Sequence, residues 1–161
     1  METYIKIPNI KGNVTTKGYE HWIKIDSYYF SGKRNLPTIT TGNTTDRNHS
    51  IPLFGEVEMT KEMDKATPLL FQHWTQAQNI NQLQIVSVQT SDALMPYLQY
   101  TLGNVIISGV SHFNDGGGAR PYEIMTLNYT TIEQKFTPYD ATHRAQAPIT
   151  AGFNIEKSER L

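Results

Sequence analysis

Apolar and polar residues alternate along most of this chain. That is the signature of strands, because successive side chains on a strand point to opposite faces. Tyr4-Ile5-Lys6-Ile7 opens with the alternation and stops at Pro8. In residues 20–30 (EHWIKIDSYYF), Ile23 and Ile25 share one face, and Trp22, Lys24 and Asp26 share the other. Residues 55–62 (GEVEMTKE) set Val57 and Met59 against Glu56, Glu58 and Thr60, which predicts a half-solvated strand. Three more β-rich runs occupy 82–90, 95–102 and 104–113. Their separators, Ser91-Asp92 and Gly103-Asn104, are turn residues, so the pattern predicts a meander of hairpins. The run over 122–137 is the longest. Met125, Leu127 and Tyr129 share one parity there, and Ile132 and Phe136 the other. That switch needs a bulge or bend near Thr130-Thr131, through which one long strand bridges two sheets. Residues 152–155 (GFNI) predict a last short strand.

One segment departs from the strand period. In TKEMDKATPLLFQHW (60–74), Thr67 suits an N-cap and Pro68 the first helical position, where its missing N–H costs nothing. Leu70, Phe71, Trp74 and Ala77 then recur at helical spacing. A helix of about ten residues is unstable alone, so it must dock on a sheet, through Leu70, Phe71 and Trp74. Many short strands with one helix predict a mainly β fold. The expected form is a closed or nearly closed antiparallel β-barrel of two sheets, or a sandwich, with one short flanking α-helix. No repeat or internal boundary interrupts residues 1–161, so a single domain is expected. Its irregular parts are an extended loop over 31–53, a flexible Gly-rich hairpin tip over 114–121, and a C-terminal segment over 140–161. A loop of about twenty residues is uncommon in a compact domain, which makes 31–53 either a contact surface or a disordered segment.

Composition narrows the function classes. The 14 basic and 15 acidic residues nearly cancel, which argues against nucleic acid or an anionic membrane as the main partner. Without cysteine there is no disulfide scaffold, thiol catalysis or Cys-ligated metal. The N-terminus lacks the apolar run of a signal peptide, and no apolar stretch is long enough to cross a membrane. A cytosolic origin is therefore expected, with any export independent of a cleavable leader.

Candidate chemistry is sparse. The five histidines, His21, His49, His73, His112 and His143, show no ligand spacing. Asp115-Gly116-Gly117-Gly118 lacks the Lys-Ser/Thr and helix of a phosphate loop. Glu56 and Glu58 share a strand face but read as solvated, and no Gly-x-Ser-x-Gly elbow exists. Trp22, Tyr28 and Tyr29 could stack on sugars, which keeps a carbohydrate-binding sandwich as an alternative. No catalytic residue, cofactor or metal is expected.

Several segments together resemble the haemolysin-coregulated protein (Hcp) family, the inner-tube subunit of the bacterial type VI secretion system. The most specific is Thr60-Lys61, then Met63-Asp64-Lys65-Ala66-Thr67-Pro68, then Leu70, whose Lys61, Asp64, Thr67 and Pro68 match the family motif. YIKIPNIKG resembles its N-terminal strand and Ile-x-Gly turn, YLQYTLGNVIISGVS a strand pair, and EIMTLNYTTIEQKFTPY the long late strand. The chain departs from the family at Ser27-Tyr28-Tyr29-Phe30, at Gln78-Asn79 where a Gly is usual, and at Phe153 where a Trp is usual.

The resemblance implies a barrel with one flanking helix, similar to phage tail-tube proteins, assembling as a homohexamer. Its rings would stack into a tube inside a contractile sheath, tipped by a valine-glycine repeat spike protein and carrying small effector proteins in the lumen. Assembly in the bacterial cytoplasm and then secretion are implied, with no nucleic acid partner and no stable membrane insertion. Within that picture Lys33, Arg34, Asp46 and Arg47 on the long loop become ring-stacking candidates. Glu56, Glu58, Thr60 and Gln84 become candidates to line a wet lumen. A tail-tube protein of a phage-like particle is the neighbouring alternative.

Overall fold

The computed structural model describes residues 1–36, 50–90, 94–118 and 120–161. The fold is mainly β, antiparallel, in two sheets with one short helix. In the first sheet β1 (Glu2–Lys6) lies between β2 (Ile23–Ile25) and β7 (Ile80–Thr90). From β7 the order continues through β8 (Leu94–Phe113), β10 (Thr131–Phe136), β11 (Ile149–Asn154) and β12 (Glu159–Arg160). In the second sheet β3 (Ser27–Tyr29) pairs with β6 (Val57–Glu62), β6 with β9 (Tyr122–Asn128), and β9 with the far half of β8. Helix α1 (Thr67–Thr75) packs against β8. The period-two pattern fills the space between the sheets: Ile5, Ile23, Ile25, Met59, Leu83, Leu102 and Met125 are all buried in one cluster.

Two expectations about strand length change. The turn expected at Gly103-Asn104 does not form, and β8 runs through it for 20 residues. Asn104 takes a left-handed φ of 53°, which breaks the regular ladder without reversing the chain. At that point β8 leaves β7 and β10 and pairs with β9 instead. Gly103 serves close approach, since a Cβ there would collide with Thr131 Oγ1. The turn expected at Ser91-Asp92 lies outside the described residues. Conversely, the long late strand divides at Tyr129-Thr130 into β9 and β10, one in each sheet, so the predicted bend is where the chain changes sheet.

The stretch 31–53 is not irregular at its ends. β4 (Gly32–Arg34) pairs with β5 (Pro52–Phe54) as a separate two-stranded ribbon. The C-terminal segment carries β11 and β12, with β11 beginning at Ile149 rather than at residue 152.

Helix α1 starts and stops for local reasons, and both ends differ from expectation. Thr67 is the first helical residue, not the N-cap, which leaves Pro68 still within the first turn. Ala66 takes the N-cap position without a side-chain cap bond. The turn leading into it is closed by Asp64, whose Oδ1 accepts the Ala66 N–H at 3.0 Å while its own N–H is accepted by Thr67 Oγ1 at 3.1 Å. At the other end Ala77 is not a continuation of the helix face. It sits just past the end at φ 47°, where its N–H reaches Trp74 O and the Gln78 N–H reaches His73 O, a Schellman closure.

Candidate functional site

The motif residues converge under α1. Continuing the parity of Val57 and Met59, Lys61 points into the protein, and its side chain has no exposure to water. Its ammonium lies 2.8 Å from Glu123 Oε1, 2.8 Å from Asp64 Oδ1 and 2.8 Å from the Glu62 carbonyl. Glu123 is equally buried, on the β9 position directly opposite Lys61. Thr67 Oγ1 donates to Glu123 Oε1 at 2.7 Å, which ties the first helical residue to the second sheet. Three of the four motif residues thus form one buried polar knot, with Pro68 opening the helix above it. A buried ammonium needs such a full set of acceptors, because its desolvation is otherwise prohibitive. The second oxygen of Glu123 makes no hydrogen bond, and the imidazole Nε2 of His112 stands 3.3 Å from it, within ion-pair reach but not aligned.

The helix docks differently from expectation. Leu70 alone of the expected trio is buried. Phe71 and Trp74 are 45% and 37% exposed, their rings 5.5 Å apart on the outer surface. The i, i+3/i+4 stripe is real, but the sheet accepts only its centre, and the knot supplies the rest of the attachment.

The ring-stacking candidates separate. Lys33 and Arg34 lie exposed on β4, where Arg34 donates to the Ser50 carbonyl. They stand opposite Leu53 and Pro52 across the ribbon, so the charges flank exposed apolar surface at Ile51 and Leu53. Asp46 and Arg47 lie outside the described residues. Glu56 and Glu58 are exposed, and Asn128 donates to Glu56 Oε1 at 3.1 Å. The lumen candidate Gln84 sits on β7 opposite Lys6 and Thr101.

Among the described residues, no group of three or more His, Asp or Glu is placed to hold a metal ion. No helix among them is long and apolar enough to cross a membrane. Burial pushes the Tyr129 phenol up to about 12, with its hydroxyl donating to the Gly55 carbonyl at 2.8 Å.

A protein-family model described as the type VI secretion system effector Hcp matches residues 4–136, most of the chain. The chain belongs to the Hcp family. Protein hcp1 of Pseudomonas aeruginosa is 24% identical over 160 residues, spanning 98% of this chain and 97% of that protein. Among solved structures, one titled "Structure of a type six secretion system protein" superposes with a TM-score of 0.93 at 22% identity, covering 99% of each chain. Hcp1 from Salmonella typhimurium follows the same fold with a TM-score of 0.76 at 19% identity, over 99% of this chain and 98% of that one. Hcp is a family of secreted tube proteins, so the surfaces of the subunit matter more here than any pocket.

The buried knot accounts for Lys61, Asp64 and Thr67 standing together in this chain: each satisfies another's desolvated polar group. Glu123 and His112 escaped the sequence reading. Extending the strand parity would have found Glu123, which precedes Met125-Leu127-Tyr129 on the same face, as Lys61 continues Val57-Met59.

Proposed function

We propose that this chain is the building block of a type VI secretion inner tube, closing head to tail into hexameric rings that stack within a contractile sheath beneath a spike protein. Small effector proteins ride in the lumen, and the subunit acts by assembly rather than by catalysis. It assembles in the bacterial cytoplasm and is then delivered outside. The observation that carries this reading is the Hcp family match across residues 4–136.

Head-to-tail closure requires two different complementary surfaces on each subunit. Among the exposed apolar side chains, two separate groups suit the requirement. Ile51 and Leu53 flank the β4–β5 ribbon, and Phe136 faces Ile149 across the β10–β11 ladder. Lys33 and Arg34 on the ribbon are proposed as stacking contacts, together with Asp46 and Arg47. Exposed ion pairs contribute only about 0–1 kcal/mol each, so stacking is expected to be weak and salt-sensitive.

We further read the two sheets as one closed barrel. Its support is a circuit of ladders that is interrupted at the β2–β3 corner: β1 to β2, β3 to β6, β6 to β9, β9 to β8, β8 to β7, and β7 back to β1. The β2–β3 corner is spanned by Asp26, whose N–H donates to the Thr60 carbonyl at 2.8 Å.

Size-exclusion chromatography with light scattering, followed by negative-stain imaging, tests the assembly. A six-subunit mass and annular particles are expected. A strict monomer at tens of micromolar would overturn the proposal.

A further inference from the structure

Glu123 is where three strands meet. Its ladder partner on β6 is Lys61 and its ladder partner on β8 is His112. Direct cross-strand partners project from the same face, so Lys61, Glu123 and His112 form one row across the second sheet. The row does not balance by itself. One ammonium, Lys61, serves two carboxylates, Glu123 and the largely buried Asp64. The imbalance is localised on one atom, Glu123 Oε2, which is buried and makes no hydrogen bond. A desolvated carboxylate oxygen in that state is costly and calls for a cationic partner. His112 is the group in position: its side chain is 37% exposed, enough to exchange a proton with water, while its Nε2 stands 3.3 Å from Oε2.

We propose that His112 is a proton-operated latch which, when protonated, supplies the second cation of the Lys61–Glu123–His112 row and tightens the β8–β9 contact of the second sheet beside α1. When neutral, it leaves Glu123 Oε2 without a charge partner and the corner holds less firmly. The groups around it agree with this role. Glu123 faces His112 from β9, with Lys61 behind it on β6 and Asp64 at the entry to α1. Lys61 repels a second cation, but its charge is already shared among Glu123, Asp64 and the Glu62 carbonyl. Helix α1 presents the uncharged ring of Phe71, 6.3 Å from the imidazole, and also carries His73. The Arg120–Glu62 pair is exposed, with Glu62 on the opposite face of β6 from Lys61.

The sign follows from linkage. The latch needs the charged imidazole, so the stability it adds belongs to the acid side of the range in which histidine ordinarily changes charge and is absent on the alkaline side. Histidine ordinarily changes charge between about pH 5 and 8.

The test is urea unfolding of the wild type and His112→Gln at about pH 5.5 and pH 8, the range in which histidine titrates. The folded-to-unfolded ratio of the wild type is expected to exceed that of the variant by roughly threefold to tenfold at the acid pH, as for a half-exposed charged hydrogen bond, and to match it at the alkaline pH. The same gap at both values would overturn the latch. Should the variant not fold, amide hydrogen exchange of wild-type β8 and β9, corrected for intrinsic rates, decides instead. Greater protection at acid pH supports the latch, and unchanged protection sinks it.

Discussion

Lys61 and Glu123 stand opposite each other across the β6–β9 ladder, with Nζ 2.8 Å from Oε1 and neither side chain exposed to water. Removing one partner of such a pair strands the other charge in a desolvated site. Lys61→Met is therefore expected to lower stability by about 3–5 kcal/mol. The double variant Lys61→Met, Glu123→Leu should lose clearly less than the sum of the two single losses, because it leaves no orphan charge at Glu123. A urea-denaturation cycle over the four proteins checks this, and strictly additive losses would contradict the coupling.

How much of this corner was legible beforehand depends on what each signal measures. Parity located the core of β6 and β9 correctly, since Val57, Met59, Met125 and Leu127 are all buried. The same parity carries on to Lys61 and Glu123, but charge normally marks a solvated position, so composition argued against what periodicity implied. Helical spacing likewise identified α1 while overstating its contact. Leu70 is buried, whereas Phe71 and Trp74 face outward, because spacing reports a direction and not the width of the groove that receives it. Gly103-Asn104 failed for a related reason. Turn residues also serve where a strand must kink or let another backbone approach, and only the neighbouring Thr131 tells the two uses apart.

The helix end carries a correctable strain. Ala77 holds φ at 47° to complete the Schellman closure, a conformation in which an L side chain costs roughly 1–2 kcal/mol and glycine nearly nothing. Ala77→Gly is expected to stabilise the protein by about 1 kcal/mol, after allowing for the greater freedom of glycine in the unfolded chain. Thermal unfolding measures it, and a lower melting temperature would refute it.

Gly12, the glycine of the Ile-x-Gly turn, has the opposite property. A Cβ there would run into the Trp22 carbonyl and the Ile23 backbone, and neither can rotate aside as a side chain could. The Gly12 N–H also donates to the His21 carbonyl at 2.8 Å, which fixes the approach. Gly12→Ala should cost about 1–3 kcal/mol or more, read as a drop in denaturation midpoint. A neutral result would mean the 10–22 turn moves freely away from β2.

Alkaline pH should act through Tyr129. Burial pushes its phenol up to about 12, against an ordinary value near 10, so the folded protein disfavours the ionised form. Its contribution is fully present below about pH 10 and is lost between about pH 10 and 12, as the unfolded chain ionises first. Tyr129→Phe should show a shallower loss of stability over that interval. At neutral pH it should give up only about 1 kcal/mol for the missing bond to Gly55 O. Parallel slopes for the two proteins would rule Tyr129 out as the alkaline sensor.

The attachment of α1 can be apportioned by comparing two of its apolar residues. Leu70 has no exposure to water and packs in the main core, so Leu70→Ala is expected to cost about 2–5 kcal/mol. Trp74 is larger but 37% exposed, its ring tilted against Phe71 on the outer surface rather than inserted between sheets. Its truncation leaves little cavity, so Trp74→Ala should cost only about 1–2 kcal/mol, below the range for a fully buried ring. Denaturation midpoints of the two variants, measured under conditions that dissociate any oligomer, decide the order. If Trp74→Ala proved the more damaging, the helix would be held by its outer aromatic pair, and the buried knot of Lys61, Asp64, Thr67 and Glu123 would be secondary to it.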